Sequence, residues 1–338
     1  PLFFWSDGWL KLIVLTVLPI IAFIWLVQSH NRWFYWKDYL KKKIEINQQE
    51  LRALQYDFSD FDNGKEYIDP SHLYTFDLDI FGEHSLFQYI NRTSTPIGKQ
   101  RLANWFNAHL ENKAAIDHRQ EAIRELSTDL EYRQQIRLLG LLYKGKPADT
   151  TEIKEWATSP SYYRKRTLLR ILPIAVTVIN FLCISLAISG IISANIAGGV
   201  FVCFVLFSTI FSKGITKLQT TYGEKLQILS TYADQILLTE QKEMHSHILQ
   251  ELKADLTSQN QTASQAVRQL SKLMNALDQR SNLLMSTILN GLIFWELRQV
   301  MRIEKWKEIH ASDLPRWIET IGEIDAYCSL ATFAYNHP

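Results

Sequence analysis

The chain has 338 residues, which is enough for two or three domains of ordinary size. Its formal net charge of +1 gives no support to a strongly phosphate-binding surface, and three cysteines without a CxxC spacing exclude a disulfide framework or a zinc site. The sequence begins with Pro1 instead of Met, which is typical of a fragment or a processed product.

The first predicted element is a membrane span over residues 12–27, which carry no charge and have Trp9 and Trp33 near their ends. A cleaved signal peptide is the alternative, because its apolar core would be of similar length. No small-x-small cleavage site follows, however; the chain continues into aromatic residues and the basic cluster 41–43. This flank favours a true span, with the lysines at the anionic headgroups of the cytoplasmic face.

Soluble helices are predicted next. Residues 39–54 have the pattern of a charged amphipathic helix that leaves the membrane, and Asn63-Gly64 and Asp69-Pro70 then signal turns. Helical spacing resumes at Ser85, and Thr95 followed by Pro96 has the residue preference of an N-cap and a first helical position. Further helices are predicted over residues 113–127, 130–143 and 151–158.

The strongest apolar signal covers residues 171–212, which contain no charged side chain and have a Ser/Gly/Asn-rich turn near their middle. Two helices of about 18 residues fit this length, whereas one helix would be far too long for a bilayer. Basic residues flank both ends, which places both ends on the cytoplasmic side. A buried hairpin in a soluble core is the alternative, but such helices normally keep a polar face. The sequence therefore predicts a multi-pass protein of the cell inner (plasma) membrane whose soluble part is cytoplasmic.

Long helices are predicted after this hairpin. An apolar stripe from Leu218 to Leu256 indicates one helix of about 35 residues, or roughly 50 Å. A polar break follows, then a second helical run over residues 263–310, then a helix that reaches Ala334. The two long runs favour an antiparallel, lever-like pair. Since no strand alternation occurs, the predicted fold class is all-α.

One short stretch carries a family resemblance. The sequence around it reads LFQYINRTSTPIGKQRLANWF and resembles the start of the core, or lever, domain of the MutS family. Two further segments, AAIDHRQEAIREL and LPRWIETIGEIDAYCSLA, resemble later helices of the same domain, so that the likeness covers residues 76–160 and 217–338. The positions that match the first motif most closely are Asn91, Arg92, Thr93, Thr95, Pro96, Gly98, Arg101 and Trp105.

These motif residues are predicted to be structural. Gly98 and Ala103 allow close approach of another helix. Arg92 and Arg101 are expected to pair with carboxylates such as Asp77 or Asp79 and to tie neighbouring helices together. No nucleophile with a base and an orienting group stands nearby, so no catalytic residue is predicted in this chain. His245 and His247 are two apart on a predicted helix and point to different faces, which argues against a metal site.

The resemblance implies that a longer protein carries an ATPase domain after the last core helix, binds ATP and Mg there, and forms a homodimer through it. It also implies binding of mismatched DNA. The chain departs from the family, however: it has no GxxxxGK[ST] phosphate loop and no mismatch-reading domain, and the apolar hairpin stands where the DNA clamp belongs. An apolar tip cannot neutralise phosphates, so charge does not support DNA binding.

Taken together, the sequence predicts five segments: a span with its flank (1–38), a linker (39–76), a first core part (77–163), a membrane hairpin (164–213) and the lever helices (214–338). The leading interpretation is the membrane-anchored lever region of a MutS-like ATPase, with the lipid bilayer as its partner. Two alternatives stay open at this point. One is a non-enzymatic scaffold that dimerises through its long helices, and the other is a soluble mismatch-repair protein with a buried hairpin.

Overall fold

The structure is a computed structural model that describes residues 8–142, 150–257, 262–278 and 283–338. The chain divides into two compact units, Pro1–Asp57 and Phe58–Pro338. Within the described ranges all regular structure is helical, apart from one isolated bridge between Thr257 and Thr262. The predicted all-α class is confirmed.

The described part of the first unit is one long helix, α1 (Gly8–Ala53), in which the apolar stretch and its basic flank are continuous. The amphipathic helix predicted over residues 39–54 is the second half of this helix. Of the apolar side chains that are described here, Leu15, Phe23 and Trp25 are exposed. Many side chains of residues 12–27 lie outside the described set, so the N-terminal span stays a prediction.

Five helices form the first part of the second unit: α2 (Leu86–Ile90), α3 (Pro96–Asn107), α4 (Lys113–Ser127), α5 (Leu130–Leu141) and α6 (Thr150–Thr158). Helices α2 to α5 each begin at a side chain that accepts a backbone N–H of the first turn, namely Ser85, Thr95, Asn112 and Asp129. These caps satisfy N–H groups that have no partner inside the helix. The helices predicted from residues 113, 130 and 151 are present.

The apolar region folds as two helices joined by a short turn, as predicted. Helix α7 (Thr167–Ile188) is followed by Gly190, whose φ of 75° lies in the left-handed region, and then by α8 (Ala194–Gln241). We call α7 together with Ala194–Ser212 the apolar hairpin. Helix α8 does not end with the apolar stretch: its 48 residues extend for about 72 Å at 1.5 Å per residue. The second hairpin helix and the first lever helix are therefore one rod.

The remaining helices are α9 (His247–Asp255), α10 (Ala263–Asp278), α11 (Leu283–Ile293), α12 (Trp295–His310) and α13 (Leu314–Asn336). The prediction of one unbroken helix from Leu218 to Leu256 is wrong, because residues 242–246 leave helical geometry. The carboxylate of Glu125 in α4 accepts the N–H groups of His245 and Ser246 at 2.9 and 2.6 Å, so a tertiary partner replaces the intrahelical one.

The second predicted run, over residues 263–310, is also broken. Phe294 has a φ of 50°, in the left-handed region, and separates α11 from α12. For a bulky residue without a glycine's freedom this conformation is rare, and it turns the chain back on itself. Helix α12 then returns along α10, where the indole Nε1 of Trp306 donates to the carbonyl of Ala266 at 2.7 Å.

The predicted antiparallel lever pair is present as α8 and α10. Near the end of α8, the Glu240 carboxylate accepts the N–H of Ser264 at 3.0 Å. One turn and a half earlier on α8, Asp234 pairs with Arg268 at 2.8 Å, further along α10. As the residue number falls along α8, the number of the partner on α10 rises. The two helices are therefore antiparallel.

Helix α13 connects the parts of the core. Its Ile321 packs in the cluster that contains Trp317 and Leu270, its Ile324 in a second cluster with Leu126, and its Ala326 in a third. All of these side chains are almost fully buried. A single helix thus joins the lever helices to the segment that carries the sequence motif.

Candidate functional site

The motif begins with a loop, residues 91–95, that lies between α2 and α3. The amide of Asn91 donates to the carbonyl of Asp62 at 3.0 Å. Its side-chain oxygen accepts both the N–H and the hydroxyl of Thr93, at 3.0 and 2.6 Å. Such a side-chain ring replaces a backbone turn and fixes the course of the loop.

Arg92 is buried, with 6% of its surface exposed, and its guanidinium lies 3.6 Å from the ring centroid of Phe61. It donates to the carbonyl of Tyr89 at 2.9 Å. The predicted pairing of this arginine, or of Arg101, with Asp77 or Asp79 is wrong. Both aspartates are exposed in the turn over residues 74–80, and neither forms an ion pair.

Helix α3 starts as the sequence predicts. Thr95 is the N-cap, its hydroxyl accepts the N–H of Gly98 at 3.0 Å, and Pro96 occupies the first helical position. Gly98 lies directly against Asp325 of α13, so that an added Cβ would stand 2.9 Å from the Cβ of that residue. The predicted close helix approach at Gly98 is confirmed, and α13 is the helix that makes it.

Asp325 is the hub of this contact. Its carboxylate accepts the N–H groups of Ser94 and Thr95 at 2.9 and 2.8 Å, and it also accepts both hydroxyls, at 3.2 and 2.7 Å. One helical turn further, the hydroxyl of Ser329 accepts the N–H of Arg92 at 2.8 Å and donates to the carbonyl of Ile90 at 2.9 Å. Two polar side chains of α13 thus hold the loop by its backbone.

A second stripe of α13 contacts the side of α3. Arg101 pairs with Glu323 at 3.3 Å, and the ring of Trp105 packs on Tyr327 with centroids 4.7 Å apart. The guanidinium of Arg119 lies over the indole ring of Trp105, 4.4 Å from its centroid. We call the contacts of residues 91–105 with α13 the motif junction. All eight motif residues lie in or beside this junction. The sequence alone did not show that α13 is the helix that the motif contacts.

The two carboxyl groups of α13 in the motif junction have pKa values that are shifted by burial, as is common in structural contacts. Burial raises the pKa of Asp325 to about 6, although its four hydrogen bonds favour the ionised form. Burial also raises the pKa of Glu323, which the charges of Arg101 and Arg119 oppose. Among the residues that the structure describes, no three His, Cys, Asp or Glu side chains are grouped as metal ligands.

The apolar hairpin is the second candidate site. Thr167–Ile188 and Ala194–Ser212 have mean hydropathies of 2.5 and 2.0, and within the described residues these two helices are long and apolar enough to cross a membrane. In the most apolar window of Ala194–Ser212 no residue is buried. Large apolar side chains are exposed on both helices, among them Ile174, Val178, Phe181, Leu182, Ile188, Ile196, Val202, Leu206 and Ile210.

Comparison with known families decides the membership of the chain. The family model of MutS domain III matches residues 71–331, which is more than three quarters of the sequence. The chain belongs to the MutS family. Neither the curated proteins nor the solved structures contain a significant match.

Within MutS domain III, the matched range is continuous through the apolar hairpin. It also contains the whole motif junction and most of α13. The resemblance in the sequence covered the same helices but left out residues 161–216. Asp325 and Ser329 both lie in the quoted segment LPRWIETIGEIDAYCSLA. Their role as acceptors for the motif loop was missed, because a sequence does not show which loop a buried carboxylate meets.

A cavity of about 750 Å³ lies where the apolar hairpin of this MutS domain meets the lever helices. Its apolar wall includes Leu169 and Phe211. On its polar side Lys307, which is 6% exposed, donates to the carbonyl of Trp156 at 3.1 Å and to the hydroxyl of Ser159 at 2.8 Å. Burial lowers the pKa of this lysine, and nearby glutamates oppose the shift. These contacts hold the end of α6 on α12.

Replacing Gly98 with alanine is expected to lower the stability of the domain by about 1–3 kcal/mol, which is typical of overpacking. The new methyl group would stand 2.8 Å from the Thr95 hydroxyl and would press on the Asp325 carboxylate. Thermal unfolding in detergent measures the change. Gly199→Ala is the control, because nothing lies within 4 Å of its added Cβ. Equal melting temperatures for the two variants would contradict the tight junction.

Proposed function

We propose that this chain is the membrane-anchored lever region of a MutS-family ATPase. The observation that carries the proposal is the exposed apolar surface of the hairpin, within a MutS domain III. Soluble monomers rarely expose apolar patches beyond a few hundred Å². A bilayer removes this penalty, and two helices of about 20 residues match its hydrocarbon thickness of about 30 Å.

The flanking charges support one orientation. Arg164, Lys165, Arg166 and Arg170 stand at the start of α7, where the hairpin leaves the soluble helices. Positive residues next to spans are retained on the cytoplasmic side. Both hairpin ends and the motif junction would then be cytoplasmic, at the inner membrane.

In the proposed function this chain transmits movement and does not carry out the catalytic step. Helix α8 is continuous from the apolar hairpin to Gln241, so a tilt at one end displaces the other. Helix α13 holds the motif loop through Asp325 and would lead to the domain that binds ATP and Mg in the full-length protein. Dimerisation through that domain would let nucleotide state set the angle of two such rods in the bilayer.

Family membership associates the chain with mismatch repair in general terms only. The hairpin turn presents Ile188 and Ile191, which are 83% and 70% exposed, where a clamp would present basic groups to DNA. Lysine and arginine contacts to phosphates supply most non-specific DNA affinity. We therefore propose lipid, not DNA, as the partner of this end of the molecule.

Membrane insertion is tested by reconstituting the chain in liposomes and extracting with alkaline carbonate. We expect the protein to stay with the lipid and to float with it. Val202→Lys adds a charge to the exposed face and should cost about 3 kcal/mol of insertion free energy. Val202→Ala is the matched control. Full release of the unmodified protein by carbonate would overturn the anchor and favour the soluble alternative.

Coupling is tested on the product of the complete gene in nanodiscs by amide hydrogen exchange. We expect ATP and Mg to change exchange at the break over residues 242–246 and at the turn around Phe294, where the lever helices are interrupted. Identical exchange with and without nucleotide, in a protein shown to bind ATP, would refute the lever and leave a static scaffold.

A further inference from the structure

Helix α11 contains no charged side chain. From Leu283 to Trp295 the sequence LLMSTILNGLIFW contains no charged side chain. The eleven residues of α11 span only about 16 Å, which is too short to cross a bilayer. Pattern alone therefore predicts a lever helix at this place and no membrane element.

The packing of α11 is against the apolar hairpin. An added Cβ at Gly291 would clash with the ring of Phe201 and stand 2.6 Å from a methyl group of Val205, so the glycine permits close approach to α8. The ring of Phe294 lies 6.3 Å from that of Phe204 and 6.1 Å from that of Phe207. The end of α11 is thus in contact with the most apolar part of α8.

The position of these contacts gives their depth. Phe201 precedes Ser212, the end of the apolar stretch, by eleven residues, or about 16 Å of helix. Asn180 of α7, which binds the same end of α11, follows Ile171, the first residue of the uncharged stretch, by nine residues, or about 14 Å. Measured from the cytoplasmic ends of both hairpin helices, the end of α11 at Gly291 lies near the middle of a hydrocarbon core about 30 Å thick. The ring of Phe294 lies nearer the cytoplasmic side, since it also packs on Phe211, one residue before Ser212.

A chain reversal at such a depth exposes backbone groups that lipid cannot satisfy. Here the protein satisfies them. Asn180, only 3% exposed, donates to the carbonyls of Gly291 and Leu292 at 3.0 and 3.2 Å, which are the last acceptors of α11. The guanidinium of Arg298 donates to the carbonyl of Ile293 at 2.8 Å.

The polar side chains beyond the turn face inward. Arg298 also donates to the hydroxyl of Thr177 and the carbonyl of Pro173 on α7, at 2.6 and 2.8 Å. Glu296 is 6% exposed, and its carboxylate accepts the hydroxyl of Ser286 at 2.9 Å. Ionisable groups at membrane depth occur where they face other protein groups in this way.

Two of the exposed side chains of α11 are apolar. Met285 and Ile288 are 50% and 49% exposed, and they lie one turn apart on the same side. Since α11 also carries no charge, these exposed side chains fit contact with acyl chains and not with an aqueous partner.

We infer that α11 and the turn at Phe294 enter the bilayer beside the apolar hairpin and reach about its mid-depth as a re-entrant element. The inference rests on the proposed membrane anchor. It makes the lever itself a membrane-embedded part, because α12 begins at this turn and returns to the core around Trp306.

Single-cysteine variants in liposomes test the inference. With Cys183, Cys203 and Cys328 replaced by alanine, a cysteine is placed at Ile288, at Leu206 on the hairpin, or at Lys305, which is exposed on α12. The probe is a membrane-impermeant maleimide. We expect Ile288→Cys and Leu206→Cys to react at least tenfold more slowly than Lys305→Cys.

A second measurement distinguishes protection of Ile288→Cys by lipid from protection by neighbouring protein. A fluorophore attached in detergent to Ile288→Cys is reconstituted with lipids that carry a mid-chain spin label, and we expect at least half of its emission to be quenched. Absence of quenching, or labelling of Ile288→Cys as fast as Lys305→Cys while Leu206→Cys is protected, would overturn the re-entrant element alone. Rapid labelling of Leu206→Cys as well would refute the membrane anchor itself.

Discussion

Replacing Asp325 with alanine is expected to lower the free energy of unfolding at pH 5 by about 2–4 kcal/mol. The carboxylate accepts two backbone N–H groups and two hydroxyls of the loop over residues 91–95, all inside the motif junction. Alanine leaves the N–H groups of Ser94 and Thr95 without a partner, and each buried unpaired donor costs about 1–3 kcal/mol. The hydroxyls can turn to other acceptors, so they add less.

The size of this effect should depend on pH. Because the folded pKa of about 6 lies above the ordinary value of 3.8, the folded protein binds the proton of Asp325 more readily than the unfolded chain does. The contribution of this group to stability is therefore full below pH 4 and is lost as the pH rises through 6. Two pKa units correspond to about 3 kcal/mol. A protonated carboxyl can donate to the Ser94 hydroxyl while its other oxygen still accepts both amides.

The pH-dependent contribution of Asp325 is isolated by comparing the stability of the unmodified protein with that of Asp325→Asn. All other carboxyl groups are present in both proteins, so their titration cancels. We expect the stability difference between them to shrink between pH 4.5 and pH 7.5, measured by thermal unfolding in detergent. Asp117→Ala, at an exposed position of α4, is the control and should change stability by less than about 0.5 kcal/mol at any pH. A difference that grows with pH would contradict the raised pKa.

Local chemistry was enough to predict much of the fold. The N-cap at Thr95 with Pro96 after it, the hairpin over residues 171–212 and the all-α class depend on short-range preferences or on a long uncharged run. These signals are carried by neighbouring residues, so they can be read without knowing the tertiary structure. The motif itself was also found, since its residues are contiguous.

The two helix breaks that the sequence did not predict have one physical cause. Each depends on contacts with residues far away in the sequence. Helix α8 ends at Gln241 because Glu125, over a hundred residues earlier, captures two of the next N–H groups. Nothing in the apolar stripe signals that break. Likewise Phe294 adopts a left-handed conformation because its ring is held among phenylalanines of α8. Short-range preference favours an unbroken helix in both places, and packing overrides it.

Replacing Glu304 with alanine is expected to have the largest effect on the base of the hairpin. Its carboxylate, on a residue 5% exposed, accepts three successive backbone N–H groups, those of Tyr162, Tyr163 and Arg164, at 2.8, 3.1 and 2.6 Å. This segment leads directly into α7, so a side chain of α12 fixes the entry to the hairpin. Loss of the acceptor leaves three donors unpaired, and we expect a loss of about 3–5 kcal/mol.

Glu308 provides a matched control one turn along α12. It pairs with the side chain of Arg164 at 2.6 Å, but both side chains are partly exposed, at 39% and 30%. Exposed ion pairs contribute about 0–1 kcal/mol, so Glu308→Ala should leave stability nearly unchanged. Thermal unfolding gives the global effect, and amide exchange at residues 162–164 gives the local one, which should rise only in Glu304→Ala. Glu304→Gln keeps one acceptor oxygen and should fall between the two. If Glu304→Ala and Glu308→Ala change thermal unfolding and amide exchange to the same extent, the carboxylate of Glu304 does not hold the hairpin. Movement of α12 would then not be transmitted to the bilayer through Glu304.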